Sequence, residues 1–123
     1  MDPLSILVVE DDAVDRQNVK RNLLKSGLDA RVLDANDGDS ARGILSAQRV
    51  DCILLDYRLP DGTGVDFMRS VKGASDMAML PVIMLTGAGN EEIAVESMKQ
   101  GAADYIVKDS ISPQTLRSAI ETA

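Results

Sequence analysis

Histidine is absent from this 123-residue sequence. Its absence removes His-based catalytic triads, imidazole metal sites and any phosphohistidine relay inside the chain. Tryptophan is absent too, and aromatic residues make up only 2% of the chain. The core must therefore be aliphatic, with the six methionines as filler. Modules that stack bases on aromatic rings are disfavoured. Basic residues are outnumbered, 13 against 20 acidic, giving a net charge of −7. A protein that grips a phosphate backbone shows the opposite balance. The single Cys52, set in an apolar run, cannot form an internal disulfide and reads as a buried thiol in a reduced, cytoplasmic setting. No apolar stretch approaches the ~20 residues of a membrane span. The start, "MDPLSILVVEDD", lacks the basic opening and cleavage region of a secretory signal.

Apolar residues make up 45% of the chain, and its length fits one domain spanning residues 1–123. Short apolar runs alternate with helical patterns. The runs lie at 4–9, 30–35, 50–55, 80–85 and 103–107 and read as strands. Helices are expected over 13–26 (Val19, Leu23, Leu24), 37–48 (Ala41, Ile44, Leu45, Gln48), 63–74, 90–100 and from Pro113 onward. Thr63 with Asp66, Asn90 before two glutamates, and Ser112 before Pro113 are start signals. Asp12, with Asp15 three residues on, caps the first helix. Leu116, Ala119, Ile120 and Ala123 form the apolar stripe of the last. Five β-α units in alternation imply an α/β, doubly wound fold with a parallel sheet and helices on both faces. The run at 30–35 is interrupted by Arg31 and Asp34 and belongs at an edge. The functional crevice of such sheets lies beyond the carboxyl ends of the strands.

Polar groups gather at that rim. The first strand ends in Glu10, Asp11 and Asp12, the third in Asp56, the fourth in Thr86 and the fifth in Lys108. Two like charges about 4 Å apart cost roughly 4 kcal/mol at an effective dielectric near 20. An acid cluster of this kind needs a counter-charge. Hard oxygen ligands suit Mg²⁺, and Lys108 supplies a second positive charge. With the Thr86 hydroxyl, these groups form a cradle for a phosphoryl group carried on a carboxylate.

The ordered set resembles a response-regulator receiver domain of two-component signalling over the whole chain: "VVEDD", "LLDYRLPDGTG", "IMLTGAG", then "DYIVKDS". The resemblance implies a flavodoxin-like (βα)₅ fold with strand order 2-1-3-4-5. It implies that Asp56 accepts the phosphoryl group. Asp11 would bind Mg²⁺ directly, Glu10 partly through water, and Arg58 through its backbone carbonyl. Thr86 and Lys108 would contact the phosphoryl group, and Tyr105 would turn inward when Thr86 moves. Pro60 and Gly64 match the loop after the phosphorylation site. A histidine kinase or phosphotransfer domain would be the donor, and a downstream protein or effector domain would read the helix 4–strand 5–helix 5 surface. A homodimer through that surface is also compatible. Neither nucleic acid nor membrane is an expected direct partner. Such a domain is a switch, not an enzyme in the usual sense, although it assists its own phosphorylation and dephosphorylation.

The sequence departs from the family at one position. Asp109 follows Lys108, where a proline, often cis, is usual. A cis bond there costs about 2.5–4 kcal/mol without proline, so a trans bond is expected. Asp109 also brings a further negative charge near the site.

Two rivals are an interaction-only receiver and an aspartate-nucleophile phosphatase. The phosphatase usually needs an acid two residues after the nucleophile, where Arg58 stands. A small flavin-binding protein fits less well, because acids replace the phosphate loop after the first strand. A stand-alone domain and a segment of a longer chain read alike.

Overall fold

A computed structural model describes residues 2–74, 77–87 and 89–123. Five strands build one sheet: β1 (Leu4–Val9), β2 (Ala30–Ala35), β3 (Cys52–Asp56), β4 (Val82–Thr86) and β5 (Asp104–Val107). The order is β2-β1-β3-β4-β5 and every pairing is parallel. The helices are α1 (Ala13–Lys25), α2 (Gly38–Ala47), α3 (Gly64–Lys72), α4 (Glu91–Lys99) and α5 (Pro113–Thr122). This is the doubly wound α/β architecture expected from the alternation, in the flavodoxin-like strand order that the resemblance implies, with the interrupted run β2 at an edge.

Alternation along each central strand divides the core into two. Leu7, Val9, Ile53, Leu55, Val82 and Met84 face α2 and α3, where Ala41, Phe67, Met68 and Val71 meet them. Ile6, Val8, Leu54, Ile83 and Leu85 face α1 and α5, where Val19, Leu23, Leu116 and Ile120 meet them. Burial on both faces explains why β1, β3 and β4 are nearly all apolar. Cys52 is buried, and burial pushes its thiol up to about 12, so it is an inert core residue.

The caps fall mostly where the sequence placed them. The Asp12, Thr63 and Ser112 side chains accept from the backbone N–H groups of Asp15, Asp66 and Thr115. Thr115 closes a capping box that the sequence reading had not assigned. Three details differ. Asn90 stands at the start of α4, but its side chain caps nothing, because the backbone there turns in at φ −105°, ψ 48° rather than in the extended form a capping residue takes. Leu24 points outward at 79% exposure, because only Val19 and Leu23 of α1 face the sheet. Of the methionines, Met68 and Met84 fill the core, whereas Met79 and Met98 are exposed.

Register positions the functional groups. Val9 pairs with Leu55, so the next rung sets Glu10 beside Asp56. Asp56 pairs with Leu85 and Thr86 with Val107, so Thr86 and Lys108 emerge one step further along the same rim. A short antiparallel ladder, Arg58–Leu59 against Gly62–Thr63, then folds the chain back into α3.

Candidate functional site

β1 delivers Glu10 to the rim inside the protein, at 1% exposure. Its backbone N–H donates to the Ala35 carbonyl at 3.0 Å. Its own carbonyl accepts from Arg16 Nη1 at 2.8 Å. Its Oε1 accepts from the Asp12 N–H at 3.1 Å. Its Oε2 is buried and receives no hydrogen bond of proper geometry; Lys108 Nζ approaches it at 3.1 Å as an ion pair. Burial, then the hydrogen bond and charge of Asp56, push the Glu10 carboxyl from 4.5 up to about 8; Lys108 opposes the shift.

Asp56 closes β3 and is also buried. Its Oδ2 lies 3.3 Å from Lys108 Nζ. Glu10, Asp11 and Asp56 each present one oxygen, and these lie within 4.8 Å of one another. Asp11 is exposed. This donor set is all oxygen, mixes buried and open positions, and includes the orphaned Glu10 Oε2. It fits a hard divalent cation that keeps some of its water. Such a cation would supply the attraction that "VVEDD" lacks on its own.

Lys108 enters from the 3₁₀ turn Lys108–Ser110 that follows β5. Its ammonium lies 3.1 Å from Glu10, 3.1 Å from Asp15 and 3.3 Å from Asp56. Burial works against its charge, but Asp15, Asp56 and Glu10 outweigh it and raise the lysine above its ordinary range. Thr86 is buried at the end of β4. Asp109 is exposed and makes no ion pair among the described residues. The peptide after Lys108 is trans, as expected without proline.

Tyr105 on β5 is 43% exposed. It borders an open groove of about 490 Å³ between β5 and α5. Arg58 is exposed in the short ladder. Gly64 begins α3 against β3: a Cβ there would lie 2.5 Å from the Asp56 carbonyl oxygen and 3.0 Å from Tyr57 Cα. Only glycine allows α3 to start that close to the acid.

Two residues of the site escaped the sequence reading. Asp15 was assigned only to the α1 cap, yet its carboxylate reaches Lys108. Arg16, the next residue, fastens the Glu10 carbonyl. The available signal was position: a third-residue side chain of a helix leans back toward the N-terminus, here toward the strand ends.

The arrangement can hold a divalent cation and sets a carboxylate against an ammonium, with Thr86 at the same rim. The response regulator receiver domain family matches residues 6–121. The chain is 41% identical over 116 residues to the phosphate regulon transcriptional regulatory protein PhoB of Escherichia coli (strain K12), covering 94% of this chain and 49% of PhoB. It thus spans about half the length of that relative. It is 30% identical over 118 residues to the chemotaxis protein CheY of Pseudomonas aeruginosa, covering 96% and 94% of the two chains. The Mn²⁺-bound form of response regulator Rcp1 superposes with a TM-score of 0.79 at 28% identity, covering 97% of this chain and 91% of that one. From sheet order to acid cluster, the chain belongs to the response regulator receiver domains of two-component signalling.

Proposed function

We propose that Asp56 accepts a phosphoryl group from a histidine kinase or phosphotransfer domain. The observation that carries this reading is the placement of Lys108 Nζ 3.3 Å from a buried Asp56 carboxylate, beside the Glu10–Asp11 pair. In the transfer, an Asp56 oxygen forms a bond to phosphorus while the phosphorus–nitrogen bond of the donor phosphohistidine breaks. The electron pair goes to the leaving imidazole, which takes up a proton. Mg²⁺, held by Glu10, Asp11, Asp56 and the Arg58 carbonyl, would neutralise charge on the transferring group. Lys108 and Thr86 would bind the phosphoryl oxygens. The same groups would assist self-phosphorylation from small donors and the later hydrolysis.

The output would be a population shift rather than a new fold. Thr86 would move toward the phosphoryl group, and Tyr105 would turn in from its exposed position. That changes the α4–β5–α5 surface, where Val95 and Met98 are also exposed. A downstream protein, an effector domain or a second copy would read that surface. The domain itself is acidic and poor in aromatics, which supports protein partners rather than nucleic acid. Among the described residues no helix is long and apolar enough to cross a membrane, and the free buried thiol supports a cytoplasmic location. We take residues 1–123 as one receiver domain.

Intact mass after incubation with acetyl phosphate tests the assignment. A gain of one phosphoryl group is expected with Mg²⁺, none with EDTA, and none in Asp56→Asn. Failure with acetyl phosphate, with histidine-kinase donors and with beryllofluoride would leave an interaction-only domain.

A further inference from the structure

Lys108 is ringed by acids in the resting site. An ammonium has three N–H donors, and three carboxylates surround it at 3.1, 3.1 and 3.3 Å. Only the contact with Asp15 has the geometry of a hydrogen bond. The three acids are not equivalent. Glu10 and Asp56 belong to the cluster whose charge a bound cation takes up, whereas Asp15 does not. The Asp15 backbone is anchored at the start of α1, where its N–H donates to the Asp12 side chain at 2.9 Å.

We propose that Asp15 is a positioning residue that competes with the phosphoryl group on Asp56 for Lys108, and so restrains the phosphorylated state. The proposal rests on the reading of Asp56 as phosphoacceptor. A phosphoryl oxygen on Asp56 needs a donor from Lys108, and with the cation in place Asp15 is the competitor left undischarged. The Asp15 carboxylate also repels the incoming anion, which acts in the same direction. The pair is only half-buried, with 46% of the Asp15 side chain exposed. Its worth therefore lies near the exposed-pair range, and its removal favours the phosphorylated state by about two- to five-fold.

The test is beryllofluoride affinity at saturating Mg²⁺, followed by amide NMR, with the phosphorylated fraction reached in acetyl phosphate as a second readout. Asp15→Asn is expected to bind about two- to five-fold tighter than the unmodified protein and to reach a higher phosphorylated fraction. Asp15→Glu keeps the charge and is expected to restore the original affinity, which a merely structural role for the side chain would not require. Asp109→Asn removes a charge next to Lys108 in sequence but outside its ion pairs, and is expected to leave affinity unchanged. Asp15→Ser provides a second neutral substitution should Asp15→Asn unfold. Equal or weaker binding by the neutral Asp15 variants overturns the proposal. An equal gain in Asp109→Asn also overturns it, because bulk charge would then be the cause. If the unmodified protein neither binds beryllofluoride nor takes up phosphoryl, the Asp56 reading fails and this proposal fails with it. Binding by the unmodified protein without an Asp15 effect refutes the Asp15 role alone.

Discussion

Raising the pH of the metal-free protein from 5 to 8 is expected to destabilise it. The group responsible is Glu10, whose carboxyl is pushed from 4.5 up to about 8 by burial and by Asp56. In the unfolded chain Glu10 releases its proton near the ordinary value; in the folded protein it keeps the proton to about pH 8. The folded state thus binds more protons across this window, and stability falls as pH rises through it. One proton contributes at most ~1.4 kcal/mol per pH unit, hence a ceiling of about 4 kcal/mol over three units. Relaxation and water entry around the buried Glu10 carboxyl lower this to roughly 2–4 kcal/mol.

The window is unusually clean. The chain has no histidine. Lys108 and Cys52 are both raised, so their contributions change only above their ordinary values of 10.5 and 9.0. Asp61 is lowered by the Gly38 and Asp39 N–H groups that its carboxylate accepts from, so its contribution changes only at acid pH. Urea unfolding by far-UV circular dichroism at pH 5, 6, 7 and 8 in EDTA measures the slope. Mg²⁺ bound through Glu10 would displace its proton, so the stabilising increment is expected to grow with pH, toward ~2.7 kcal/mol at a concentration 100 times its Kd. Glu10→Gln is expected to flatten the metal-free profile and shrink the Mg²⁺ increment. Metal-free stability that stays constant or rises between pH 5 and 8 would refute the reasoning.

Leu23→Ala is expected to cost about 2–5 kcal/mol, whereas Leu24→Ala stays within about 0.5 kcal/mol, because the first is buried and the second exposed. Chemical denaturation of the two variants gives both numbers. Gly64→Ala is expected to cost about 1–3 kcal/mol and also weaken Mg²⁺ binding, because the added Cβ presses on the Asp56 carbonyl; denaturation and metal titration on the same sample test both parts. Cys52 is expected to resist thiol reagents in native protein and react on unfolding, as followed by intact mass.

The strands and the strand-borne part of the site were legible because β1, β3 and β4 are buried on both faces. Runs so uniformly apolar can end in Glu10, Asp56 and Thr86 only where the sheet ends, and in a parallel sheet those ends share one rim. The residues at strand ends were therefore brought together by topology, before any side-chain detail. The start of β3 was less legible. Val50 and Asp51 looked like strand, but Asp51 instead turns its carboxylate to the Ser5 N–H. Asn90 carried the right residue type for a cap and the wrong backbone angles to use it.

Asp15 and Arg16 were illegible for a different reason. A helical side chain's partner depends on how its helix crosses the sheet, and sequence spacing does not encode that crossing. Asp15 and Lys108 lie 93 positions apart and meet only because α1 begins beside the end of β5's chain. The same crossing sends Arg16 to the Glu10 carbonyl. The strand ends thus bring together Glu10, Asp56 and Thr86, and α1 adds Asp15 against Lys108 and Arg16 against the Glu10 carbonyl. A substitution at a strand-borne acid is expected to remove the chemistry, whereas one at Asp15 changes only how far the phosphorylation equilibrium runs. The two classes separate experimentally, because only the first abolishes the Mg²⁺-dependent mass gain at saturating acetyl phosphate.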